Sequence, residues 1–113
     1  MCYKWCKLFS RRLTAPEALR YYADKRTRNL RETADCLDSA RRYTLAYRQY
    51  YARLAVSMAQ KLITTLEFLL NHVEKLPTDA ATIEVLRNDF ADQKAALGRA
   101  QVYMAHPEAS FPK

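Results

Sequence analysis

The chain has 113 residues with a single Gly and four Pro, and half of its residues are apolar. That length favours one domain with a modest core. The apolar share argues against disorder throughout, and the scarcity of turn residues argues against an all-β fold. The formal charge of +7 points to an anionic partner, whether nucleic acid, a membrane surface or an acidic protein. It is unevenly spread: residues 1–53 hold 13 Lys or Arg against five Asp or Glu, whereas residues 54–113 hold six against seven.

In chain order, residues 1–13 form a basic amphipathic segment without an acid. Wound as a helix, Cys2, Trp5, Cys6, Phe9 and Leu13 share one face, and Lys4, Lys7 and Arg11 share another. The expected contacts to an anionic or membrane surface are Lys4, Trp5, Lys7, Leu8, Phe9, Arg11 and Arg12. The segment also resembles a mitochondrial import signal and lacks the long apolar centre of a secretory one. Thr14-Ala15-Pro16-Glu17 is a capping box with an early Pro, so a helix is expected from Ala15.

No Gly or Pro follows until Pro77. Apolar positions recur in steps of three and four from Leu30 through Leu37, Tyr47, Tyr51, Met58 and Leu66 to Leu76. One long or kinked helix is the favoured reading; unbroken, it would run roughly 90 Å at about 1.5 Å per residue. The alternative is a fold-back near Asp38-Ser39, two residues suited to caps. Pro77 is expected to stop this helix, with Thr78 capping the next and Asp79 in its first turn. The last seam, Ile83, Leu86, Phe90, Gln93, Leu97, Ala100 and Met104, has one polar position, Gln93. Residues 106–113, with two prolines, are expected to be an extended tail.

The expected fold is therefore all-α: a long helix plus an antiparallel second helix, as a hairpin or a three-helix bundle with coiled-coil-like packing over residues 14–105. A helix of residues 79–105 covers only part of its neighbour, so the remaining seam is expected to meet another chain. The protein-interface residues on this reading are Leu30, Leu37, Tyr43, Tyr47, Tyr50, Tyr51 and Phe111. Residues 41–53 interleave base and aromatic, which invites a nucleic-acid reading. The tyrosines, however, share one helical arc from which Arg41, Arg42, Arg48 and Arg53 are displaced, and this favours protein contact.

No catalytic arrangement is recognisable. Carboxylates are dispersed, no phosphate-cradling Gly loop is present, and His72 lacks an acid or Cys partner. Cys2, Cys6 and Cys36, with His72 and His106, are too scattered for a zinc set and read as thiols without metal. No cofactor and no small-molecule substrate are expected. No apolar run reaches the 18 residues of a membrane span.

Leu8-Phe9-Ser10-Arg11-Arg12-Leu13-Thr14-Ala15-Pro16-Glu17-Ala18-Leu19-Arg20 resembles the amino-terminal start of ESCRT-III subunits, in which a short apolar-basic segment precedes a T-P-E-type helix start and a basic helical hairpin. An Ala stands between Thr14 and Pro16 here, and the chain is about half the usual family length. The resemblance implies polymerisation on anionic membranes, with Trp5, Leu8 and Phe9 touching lipid. Two functions are thus expected. The first is a non-catalytic accessory subunit of a larger assembly, in a mitochondrial matrix or inner-membrane complex. The second is a peripheral membrane-remodelling or adaptor protein at a cytoplasmic membrane surface. RNA binding is the weakest reading.

Overall fold

The computed structural model describes residues 13–112. Among them the fold is all-α: α1 (Ala15–Arg42), α2 (Leu45–Leu70), a 3-10 turn (Val73–Lys75) and α3 (Ala80–Ala105). The amphipathic segment of residues 1–12 lies outside the described residues.

α1 begins where the capping box places it. Glu17 N–H donates to Thr14 Oγ1 at 3.4 Å, and Glu17 Oε1 accepts from the Thr14 N–H at 2.9 Å, so two otherwise free donors are satisfied. The expected single helix of residues 15–76 is not formed. The chain turns at Tyr43-Thr44, five residues beyond Asp38-Ser39, and the longest molecular dimension is 46 Å.

Local sequence does little to make this corner. Thr44 caps α2 without a side-chain hydrogen bond, and Leu45 holds φ at 56°, the left-handed region that costs a residue with a Cβ about 1–2 kcal/mol. Tertiary bonds hold it instead. The Leu45 N–H donates to Pro107 O at 2.8 Å, which ties the corner to the C-terminal tail. Leu45→Gly is accordingly expected to raise stability by about 1 kcal/mol, since the Leu45 side chain is largely exposed and little packing is lost; thermal denaturation checks this.

α2 ends at Leu70, six residues short of the expected stop. His72 Nδ1 lies 2.8 Å from Phe68 O, and the rest of the linker winds as the 3-10 turn. The early turn lets Leu76 pack into the core, so burial outweighs continued helix periodicity. Asp79, rather than Thr78, caps α3 by accepting from the Thr82 N–H at 2.9 Å.

α2 runs antiparallel to both other helices, and two apolar clusters result. One joins Ala15, Ala18 and Tyr22 of α1 to Leu62, Leu66 and Leu69 of α2, Leu86 of α3 and Leu76. The other, at the opposite end, is built mostly of small residues: Ala40, Ala52, Ala55, Ala96 and Ala100 with Leu37 and Tyr103. Small side chains let the backbones approach closely there.

A polar layer bears on the contact between α1 and α3. Asp89 of α3 is buried and accepts from Tyr22 Oη at 2.7 Å and from Arg26 Nε and Nη2 at 2.5 and 2.8 Å. One turn on along each helix sit Asn29 and Gln93, both buried; among the described residues Asn29 Nδ2 and Gln93 Oε1 have no hydrogen-bond partner. Gln93 is thus an interior polar position, as its place in the seam suggested.

Burial, with the Asp89 carboxylate beside it, raises the Tyr22 phenol well above the usual tyrosine range. A raised folded-state value means that this contribution to stability is complete below the unfolded value, about 10, and is lost as pH rises beyond it. Stability is expected to fall from about pH 10 upward, with a shallower fall in Tyr22→Phe; denaturant titrations between pH 8 and 11.5 measure the slope.

Candidate functional site

The start of α2 gathers aromatic side chains that the fold leaves uncovered. Tyr47 is 68% exposed and Tyr50 56%; Tyr43 just before the helix, Leu45 and Leu54 are exposed too. The tyrosines touch one another: Tyr43 stacks on Tyr51 with centroids 5.8 Å apart, Tyr47 leans on Tyr43 at 5.7 Å, and Tyr50 meets Tyr51 edge-on at 5.1 Å. Tyr51 is half-buried against the alanine-rich cluster and anchors the group to the fold. Val102 and Met104, in the last turn of α3, are exposed at the same end of the packed helices.

Of the eight large apolar side chains exposed among the described residues, only Val85 lies at the other end. A concentration of this kind, rather than any single exposed side chain, marks an interaction surface.

Between Tyr47 and Tyr50 in the chain stands Arg48, which is 1% exposed. Its Nε donates to Ala40 O at 2.7 Å and Nη2 to Arg41 O at 3.3 Å, both at the C-terminal end of α1. Nη1 donates to His106 O at 3.1 Å, beyond the end of α3, and to Ala109 O in the tail. One guanidinium thus satisfies carbonyls that the ends of two helices leave free, at the terminus where the helix dipole favours a cation. It also lies 4.7 Å from the centre of the Phe111 ring, which packs edge-on against Tyr103 at 4.8 Å. The tail, expected to be extended, first makes a turn in which the Ala109 N–H donates to His106 O at 3.2 Å, and it is bound down further on, with Arg41 Nη1 donating to Pro112 O at 3.3 Å.

Of the interface residues expected from sequence, Tyr43, Tyr47 and Tyr50 lie open on one site, with Tyr51 at its base. Leu30, Leu37 and Phe111 do not join them. Leu37 is buried between Ala40 of α1 and the alanines of α2 and α3, Leu30 is half-buried against the leucine-rich cluster, and Phe111 is held by Arg48 and Tyr103. The reason is the turn at Tyr43-Thr44, which lays α1 along α2 and covers its seam from within the chain.

Lys4, Trp5, Lys7, Leu8, Phe9, Arg11 and Arg12 lie outside the described residues. Sequence reasoning missed Leu45, and it did not count Leu54, which continues the tyrosine arc, among the contacts. It also missed the role of Arg48, for which an Arg amid exposed tyrosines gives no signal. Cys36 is half-buried with its Sγ 3.9 Å from Met58 Sδ, and burial raises its thiol above the usual range. No helix of the described residues is long and apolar enough to cross a membrane, and no cluster of metal-ligating side chains occurs among them.

Comparison of the chain with models of protein families, with curated proteins and with solved structures finds no match.

Proposed function

We propose that the chain works as a closed three-helix bundle and serves as a non-catalytic accessory subunit of a larger assembly, docking through the tyrosine face at the start of α2. The observation that carries this reading is the cluster Tyr43, Tyr47 and Tyr50, mutually packed and open to solvent at one end of a molecule whose other seams are internally covered. Tyrosine suits such a surface. Its ring supplies apolar area at low entropic cost, and its hydroxyl finds polar partners at a wet interface. Nucleic acid is the weaker occupant, because Arg48 is buried and Arg41 and Arg42 lie off the tyrosine arc, so these cations do not stand beside the rings as phosphate contacts to stacked bases require. The acid-free residues 1–12 favour a mitochondrial matrix or inner-membrane location for the assembly.

The test is native purification of the tagged chain from its own cells. The wild type is expected in a defined high-mass complex. Tyr47→Asp with Tyr50→Asp, which changes exposed side chains, is expected to elute as the free 13.2 kDa chain with its melting temperature little altered. Retention of the double variant in the complex would remove the tyrosine face from the interface.

The second reading, a membrane-remodelling protein of the ESCRT-III type, rests on residues 8–20. It requires the isolated chain to float with anionic vesicles and Trp5→Ala with Phe9→Ala to abolish flotation.

A further inference from the structure

Beside the tyrosine face, the α1–α2 corner and the tail enclose a cleft of about 550 Å³, lined by Arg41, Arg42, Thr44, Arg48, Ser110 and Phe111. A cavity of that size admits a small organic ligand. Three of its six lining residues are arginines. Arg41 and Arg42 share one carboxylate, with Arg41 Nη2 2.5 Å and Arg42 Nε 3.1 Å from the oxygens of Asp38. The Arg41 hydrogen bond holds Asp38 below the usual carboxylate range, so it counts as a full negative charge at neutral pH.

Arg48 is buried and, among the described residues, its hydrogen-bond partners are carbonyl oxygens, which carry no formal charge. The lining thus holds two positive charges in excess of Asp38. The hydroxyls of Thr44 and Ser110 add neutral donors, and Phe111 supplies an apolar wall. We infer that this cleft binds a phosphomonoester.

Charge and shape decide the class. A phosphomonoester carries about −1.5 to −2 at neutral pH with three acceptor oxygens, which balances the excess and suits the exposed Nη fork of Arg42, whose Nε is the nitrogen at Asp38. A carboxylate or a phosphodiester brings a single charge and leaves one cation unmatched. The volume exceeds that of a phosphate group, so the esterified body has room against Phe111. Arg42 is the residue to vary, since its side chain is 67% exposed and it is not needed for the core. The inference is independent of the partner proposed for the tyrosine face.

Isothermal titration and thermal shift on the full chain test it, with inorganic phosphate, phenyl phosphate, dimethyl phosphate and acetate against sodium chloride at equal ionic strength. Inorganic phosphate is expected to raise the melting temperature above the chloride control. Phenyl phosphate is expected to bind about tenfold more tightly than phosphate, and dimethyl phosphate and acetate at least tenfold more weakly. Arg42→Gln, with its own melting temperature near that of the wild type, should weaken phenyl phosphate about tenfold. Phosphate acting no better than chloride would overturn the site. Equal binding of dimethyl phosphate or acetate would overturn the phosphomonoester assignment, and unchanged affinity in Arg42→Gln would overturn the location.

Discussion

Arg48→Met is expected to destabilise the chain by about 3 kcal/mol and to release the C-terminal tail. Each hydrogen bond from a charged donor contributes about 1.5–3 kcal/mol, but the four made by Arg48 share one guanidinium and do not add. Methionine retains much of the apolar stem and loses every donor. The carbonyls of Ala40, Arg41, His106 and Ala109 then have to find water, which is possible only if the tail moves away. For a domain of this size the change corresponds to a melting temperature lowered by roughly 12–20 °C. Phe111 loses the cation beneath its ring, so a glutamate-specific protease should cut the tail after Glu108 faster in the folded variant than in the wild type. Arg48→Lys is expected to recover less than half of the loss, because a single ammonium cannot reach both helix ends as the planar fork does.

Asp89→Ala is the second change with a large expected effect, again about 3 kcal/mol. Removing one member of a buried ion pair costs 3–5 kcal/mol when the remaining charge stays buried. Here the Arg26 side chain is 37% exposed and can turn toward water, which places the expectation at the lower limit. The Tyr22 hydroxyl, by contrast, is left buried without its acceptor. Tyr22→Phe alone is expected to cost about 1 kcal/mol, and in the Asp89→Ala background close to nothing. Urea titration of the four chains of this double-mutant cycle gives the coupling directly. Because Asp89 joins α1 to α3, the same variant should accelerate amide exchange in α1 more than in α2.

Residues that punctuate locally were legible in the sequence. Thr14 with Glu17 started α1 at the expected residue, and Pro77 marked a break between helices, although α2 already ends at Leu70 and Asp79, not Thr78, caps α3. The three-four spacing from Ile83 to Met104 placed the last helix within a residue at either end. The α1–α2 corner was not legible, because Tyr43-Thr44-Leu45 carries no glycine, no proline and no effective cap. Its causes lie about 60 residues away, in Pro107 O and in the carbonyls of His106 and Ala109 that receive Arg48. Periodicity alone runs through the corner and suggests a continuous helix, since it records which positions are apolar and not what covers them.

The same limitation divided the candidate interface. Leu37 and Tyr47 occupy one apolar rhythm, yet one is enclosed by alanines of all three helices and the other faces solvent. Reading Tyr43, Tyr47 and Tyr50 as contact residues rested on their shared arc, and the ring contacts preserve that arc in the folded chain. The arginine cleft was beyond reach, since Ser110 and Phe111 meet Arg41 and Arg42 only once the tail is bound down.

Hydroxyl-radical footprinting of the tyrosines, in the isolated chain and in the natively purified assembly, tests the docking account most directly. It predicts heavy oxidation of Tyr43, Tyr47 and Tyr50 in the isolated chain, strong protection of all three in the assembly, and low oxidation of Tyr22 and Tyr103 in both. Equal labelling of Tyr47 and Tyr50 in the two samples, or ready oxidation of Tyr22 in the isolated chain, would contradict it.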